Sequence, residues 1–205
     1  LYNVQPFHYG LMLYLVGFLL VALTWLFPAK QKLAWAALAF LLLPLGFHTY
    51  GIVVRCIIRE RPPVTTLYET ILFISAVAVL VALVMEAMNR RRVGLSVAPF
   101  LGALGLFLAN KYELIDGRDT MPNLIAVLDT NFWLSTHVTT VTIGYAAGLL
   151  AGAIAHIYLI GKALGFRRGN KAFYHNVTRM TYGVLCFGLL FATLGTVLGG
   201  IWTND

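Results

Sequence analysis

Residues Leu67–Met88 read LYETILFISAVAVLVALVMEAM. No charge stands between Glu69 and Glu86. Wound as an α-helix at about 1.5 Å per residue, a run of this length covers about 33 Å, enough to cross a bilayer core of about 30 Å. A helix on the surface of a soluble domain would show a polar stripe, and this one is apolar all round. The segment therefore predicts a membrane-spanning helix.

The same texture recurs on both sides of it. Six candidate spans follow: Tyr9–Phe27, Leu33–Ile57, Leu67–Met88, Val93–Ala109, Val138–Ile160 and Thr181–Gly200. The fourth is the shortest and contains Pro99, which a span tolerates when neighbouring helices satisfy the freed carbonyl. The whole chain agrees with the parts. Of its 205 residues, 60% are hydrophobic and 11% charged, and mean hydropathy is +0.80. A soluble domain runs nearer 45–50% apolar and about 25% charged. The expected fold is an all-α polytopic membrane bundle of about six helices, read as a single membrane domain over 1–205. Its ends look cut, as in part of a longer protein.

The net charge of +7 would suggest nucleic acid in a soluble protein, but here its placement matters more. Loops one, three and five hold Lys30, Lys32, Arg90, Arg91, Arg92, Lys162, Arg167, Arg168, Lys171 and Arg179. The acids Glu60, Glu69, Glu113, Asp116, Asp119, Asp129 and Asp205 fall on the other side, and Glu86 alone lies near the first. Lys and Arg mark the cytoplasmic side of membrane proteins, so the even-numbered loops and both ends are expected to face outward. Cys56 and Cys186 stand apart with no CxxC, and read as two buried apolar thiols.

Two outer loops carry texture. Arg59–Glu69 reads RERPPVTTLYE, in which Pro62-Pro63 favours an extended chain and Thr65 or Thr66 can cap the next helix. The connection from Asn110 to Thr136 is long, and its Leu124–Leu128 and Phe132–Leu134 stretches suggest an apolar segment lying in the interface. Gly144, Gly148 and Gly152 sit four residues apart in the fifth span, and Gly195 and Gly199 share a row in the sixth. Small residues at this spacing let helices approach closely, or leave clearance for a flat ligand.

No GxGxxG, P-loop, HExxH or GxSxG motif is present. The histidines remain, because ionisable residues at membrane depth are costly. His137 lies at the outer mouth of the fifth span, with Trp133 one turn before it. That pair suits either an axial ligand to haem iron with an indole against the porphyrin, or an ordinary aromatic belt. His48 lies inside the second span, with Arg55 two turns on along the same face. Arg55 could pair with a carboxylate or a propionate. His156 and His175, on the inner side, read as structural or solvated, and His8 begins the first span with no motif around it. Trp202, where the chain leaves the membrane, reads as an interface anchor.

Three stretches, in order, resemble a known family. Arg61–Thr70 is similar to "RPPVTNLYES". Trp133-Leu134-Ser135-Thr136-His137-Val138, followed by Gly144-Tyr145, is similar to "WLxxHVxxxxxGY". Gly195–Asp205 looks like the lead-in to a tryptophan-rich "WWD" segment, with Ile201–Asp205 as its start. Together they resemble the CcsA-type (ResC-type) haem-handling proteins of system II cytochrome c biogenesis, over roughly residues 45–205. His48 lies where related sequences often read "HTxGLxxRW".

The resemblance implies transient binding of b-type haem at the outer face. It implies His137 as an axial iron ligand and Trp133, Trp202, Asn204 and Asp205 around the haem, with His48, Arg55 and Tyr68 as further candidates. It also implies a CcsB/ResB-type membrane partner, sometimes fused in the family, and an apocytochrome c bearing CxxCH. The setting would be the bacterial inner membrane with the site on its outer side, as part of a cytochrome c synthetase (haem lyase) complex. The protein's contribution would be positioning, since the vinyl chemistry belongs to the haem. A small-molecule transporter subunit, or a structural subunit docking through glycine-faced helices, would explain the spans but not the outward Trp and His cluster.

Overall fold

The computed structural model describes residues 5–116, 131–166 and 169–202. The described residues form helices joined by short connections, with no strand among them. The helices are α1 (Pro6–Leu26), α2 (Gln31–Arg59), α3 (Leu67–Asn89) and α4 (Val93–Asp116), then a short α5 (Asn131–Trp133), a π-helical turn (Leu134–Val138), α6 (Thr139–Ala163) and α7 (Lys171–Trp202). Among the described residues, six helices are long and apolar enough to cross a membrane. Large apolar side chains on their outer faces, such as Leu19, Ile57 and Leu189, are exposed, as suits an integral membrane protein.

Three hairpins build the bundle: α1 with α2, α3 with α4, and α6 with α7. Helix α3 is central, packing on α2, α4 and α6, while α7 leans on the rest mainly through α6. Small residues set the approach. The Tyr14 ring of α1 lies over Gly102 of α4, where a Cβ would fall 2.6–2.7 Å from it.

The helix ends explain where the chain turns. Thr66 caps α3, its side chain accepting the Glu69 N–H at 3.2 Å. Asn170 caps α7 by accepting the Phe173 N–H at 3.0 Å. The Glu86 carboxylate reaches from α3 to the start of α4, accepting from the N–H of Arg92 at 2.5 Å and of Gly94 at 3.0 Å. It supplies a negative charge where a helix N-terminus wants one.

The α1–α2, α3–α4 and α6–α7 connections meet at one end. Arg92 donates to the carbonyls of Thr24 at 2.5 Å and Pro28 at 2.7 Å, and the Trp25 ring lies 6.1 Å from that of Phe166. This end also carries Lys30, Lys32, Arg90, Arg91, Lys162 and Lys171, while Glu60, Glu69 and Glu113 mark the opposite end.

The structure corrects several span ends. Helix α4 runs to Asp116 through Pro99, well past Ala109. Helix α7 begins at Lys171, not Thr181, so His175 and Arg179 lie on helix rather than loop. Cys56 is only half-buried and Cys186 is exposed, because an apolar residue in a span can face lipid instead of core. The Leu124–Leu128 segment lies outside the described residues.

Candidate functional site

The π-helical turn Leu134–Val138 carries His137 to the start of α6. A π-turn widens the helix by one residue and shifts the side chains around it. Threonine hydroxyls fill in beside it. Thr136 donates to the Phe132 carbonyl at 2.8 Å, Thr140 to that of Thr136 at 2.5 Å and Thr142 to that of Val138 at 2.6 Å.

The His137 ring crosses to α7. Its Nδ1 lies 2.6 Å from the carbonyl oxygen of Gly195. A carbonyl only accepts, so Nδ1 carries the proton and donates, and the Nε2 lone pair is left for another partner. The ring rests on Gly199, where a Cβ would fall 2.5 Å from Cε1, 2.9 Å from Nδ1 and 3.1 Å from Nε2. One turn further along, Trp202 places its ring 6.0 Å from His137, inclined at 42°.

Close helix contact makes this crossing possible. A Cβ on Gly195 would fall 2.7 Å from the Val141 nitrogen, and one on Gly144 would fall 2.8 Å from the Ala192 nitrogen. Gly188 packs similarly, a Cβ there meeting that of Ala147 at 2.9 Å. Gly148 and Gly152, on the same sequence row as Gly144, face open space. The row read from sequence as one packing stripe is therefore divided.

Trp133 is half-buried and sets its ring against Phe132, edge to face at 5.1 Å. The indole beside His137 among the described residues is that of Trp202, from the other helix. Asn204 and Asp205 lie outside the described residues. Sequence reasoning missed the Gly195 carbonyl and the role of Gly199 under the ring. The only sign of them was the small-residue row.

His48, Arg55 and Tyr68 belong to the α1–α4 pack instead. His48 is fully buried, with the rings of Phe7 and Tyr14 each 6.1 Å away at steep angles. Neither ring nitrogen meets hydrogen-bond geometry with a described residue. Arg55 and Arg59 both reach the Glu69 Oε1, at 3.1 and 2.9 Å. Of the two partners anticipated for Arg55, the structure supplies a carboxylate from its own chain.

The other Glu69 oxygen accepts the Thr65 N–H at 3.2 Å and also the Thr65 hydroxyl. The Arg55 guanidinium lies 4.8 Å from the Tyr68 ring centroid, and Tyr68 is itself buried rather than displayed at the surface. The side chains of Arg55, Arg59 and Glu69 thus form a buried clamp that folds the α2–α3 loop onto the bundle.

Residues 64–205 match the family model described as cytochrome C assembly protein. The chain belongs to this family.

Among curated proteins it is 30% identical over 163 residues to the protein NrfI of Wolinella succinogenes, covering 78% of this chain and 17% of that protein. It is 22% identical over 193 residues to the cytochrome c biogenesis protein CcsA of Welwitschia mirabilis, covering 80% of this chain and 63% of the relative. It is 25% identical over 217 residues to CcsA of Parasynechococcus marenigrum, covering 91% and 70%. The chain thus spans less than two thirds of the first two relatives and is CcsA-type by these likenesses. No solved structure matches it. The cytochrome c assembly family match takes in both ends of the His137 site, α6 with its π-turn and α7.

Proposed function

We propose that this chain acts in cytochrome c assembly by holding haem, as cargo, for covalent attachment to an apocytochrome c. His137 is the axial iron ligand. The observation that carries this reading is the 2.6 Å contact between its Nδ1 and the Gly195 carbonyl. Histidines that bind metal characteristically donate their other ring N–H to a carbonyl or carboxylate, which fixes the tautomer and the ring plane. Here that leaves Nε2 as the donor atom, at a ring only partly covered by protein. Trp202, inclined beside it, offers an apolar wall to a macrocycle.

The haem supplies its iron and its reactive vinyl groups. The chain's own contribution is to fix one imidazole, exclude bulk from its back face through Gly199, and present the cargo at one membrane surface. Thiols of a CxxCH segment would add to the vinyl carbons there. The charge distribution supports placing this end on the outer side of a bacterial inner membrane. A CcsB/ResB-type partner would complete the enclosure. Arg55, Arg59 and Tyr68 serve the loop clamp in this reading, and His48 packs the α1–α4 core.

The test is a visible spectrum of the full-length protein purified from haem-replete cells. A Soret band with histidine-ligated character is expected, and it should be lost or strongly weakened in His137→Gly. Full haem occupancy in that variant would overturn the assignment.

A further inference from the structure

The basic end of the α6–α7 hairpin frames an open cavity of about 500 Å³. Lys162, from the last turn of α6, lines it together with Lys171 and His175 from the first turns of α7. Its aromatic wall is fixed from several sides. The Tyr158 and Tyr174 rings meet edge to face at 5.3 Å, and the Tyr174 hydroxyl donates to the Phe166 carbonyl at 2.5 Å. The Lys162 ammonium stands 4.9 Å from the Tyr158 ring centroid and 5.8 Å from that of Tyr174, so cation–π attraction holds it at the cavity.

Neither lysine meets an acid among the described residues. Residues 131–202 contain no Asp or Glu, and none of Lys162, Lys171 and His175 enters an ion pair among the described residues. Among the described residues, no acid balances the positive charge at the cavity.

The neighbouring helix face shows what shape a ligand there would have. Lys171, His175, Thr178, Tyr182, Leu185 and Leu189 follow one another at three- and four-residue spacing, which places them on one stripe of α7. The stripe begins with the Lys171 ammonium and the polar His175 ring at the cavity and continues as exposed apolar surface through Tyr182, Leu185 and Leu189. An anionic head with an apolar tail fits both halves, whereas a free anion uses only the first. Basic pockets between membrane helices on the cytoplasmic side are sites for anionic lipid headgroups.

We propose that this cavity seats the phosphate-bearing head of an anionic phospholipid, with its acyl chains lying along Tyr182, Leu185 and Leu189. The site lies at the far end of the hairpin from His137 and does not depend on the haem reading.

The test uses full-length protein, stripped of lipid in detergent and titrated separately with cardiolipin, phosphatidylglycerol and phosphatidylcholine, with bound lipid read by native mass spectrometry. Wild type should bind the two anionic lipids in preference to phosphatidylcholine. Lys162→Gln with Lys171→Gln should weaken that binding about 30-fold, from about one surface-charge contact per lysine. Lys162→Arg with Lys171→Arg should keep it, which separates charge loss from misfolding. Lys30→Gln with Lys32→Gln, at the same end but outside the cavity, should leave it within about threefold. An equal loss in that control pair, equal binding of phosphatidylcholine, or no effect of the Lys162 and Lys171 change would overturn the proposal. Displacement of the lipid by millimolar inorganic phosphate would overturn the lipid assignment in favour of a free-phosphate site.

Discussion

His137 on α6 and Gly195 on α7 are joined by a 2.6 Å contact from imidazole Nδ1 to a backbone carbonyl. The acceptor is backbone, so no side-chain exchange removes it, and the ring orientation is as firm as the helix pairing itself. This orientation yields a first prediction. In His137→Gly the space of the ring opens beside Gly199 while the helix contacts at Gly144 and Gly195 remain. Added imidazole should enter that space and restore part of both haem retention and cytochrome c assembly. The assembly yield, read by haem staining of the product cytochrome, should rise with imidazole concentration in His137→Gly and stay flat in wild type. No recovery at any concentration would argue that the ring is needed for packing rather than as a ligand.

Gly199 makes the second prediction. A Cβ there would overlap three ring atoms of His137, the nearest at 2.5 Å. The imidazole must swing away, and its contact to Gly195 must stretch or break. Gly199→Ala should therefore lower haem occupancy with little loss of thermal stability, since only one partly exposed ring moves. Haem-to-protein ratio and the melting temperature of the haem-free protein check the two halves separately. A variant with normal haem content would show that the ring position does not matter.

The divided glycine row gives a third. Gly144 and Gly195 face backbone atoms of the opposite helix at distances a Cβ cannot share, and helix backbone yields less than a side chain. Gly144→Ala and Gly195→Ala should each cost about 1–3 kcal/mol through forced separation of α6 and α7. Gly148→Ala and Gly152→Ala meet open space. Those two should be neutral or gain up to about 1 kcal/mol from the better helix former. Thermal melts of the four variants in one detergent would show the split, and a uniform effect would refute the packing geometry.

Most of the fold was legible because bilayer-spanning helices announce themselves by length and apolarity. What hydropathy could not show is where a helix continues beyond the apolar layer. The first ten residues of α7 contain Lys171, His175 and Arg179, which break an apolar window, yet Phe173, Val177 and Met180 are buried at helical spacing. Periodicity, not average hydropathy, carries that signal. The site was half legible. His137 and Trp202 stood out as residue types placed at an end of a span. Their meeting depends on the register between α6 and α7, which is set by steric contact at glycines and has no local pattern. The Glu69 clamp joins residues 14 apart in sequence across a turn, and only the folded loop reveals which arginines it serves.

That clamp supports the last prediction. Glu69 accepts from two buried guanidiniums at 3.1 and 2.9 Å, with the Thr65 N–H on its second oxygen at 3.2 Å. Glu69→Gln keeps the shape but sets a neutral amide against two buried positive charges. Removing one partner of a buried ionic group costs about 3–5 kcal/mol, because the remaining charge stays desolvated. Thr66→Ala removes only the α3 cap and should cost about 1 kcal/mol. Melting temperatures should rank wild type above Thr66→Ala, and Thr66→Ala above Glu69→Gln. Proteolysis between Glu60 and Thr66 should rise most in Glu69→Gln, since the loop is held down through Glu69. A Glu69→Gln protein as stable as wild type would mean that the ionic contacts do not hold this loop, and the arginines would then be open to another role.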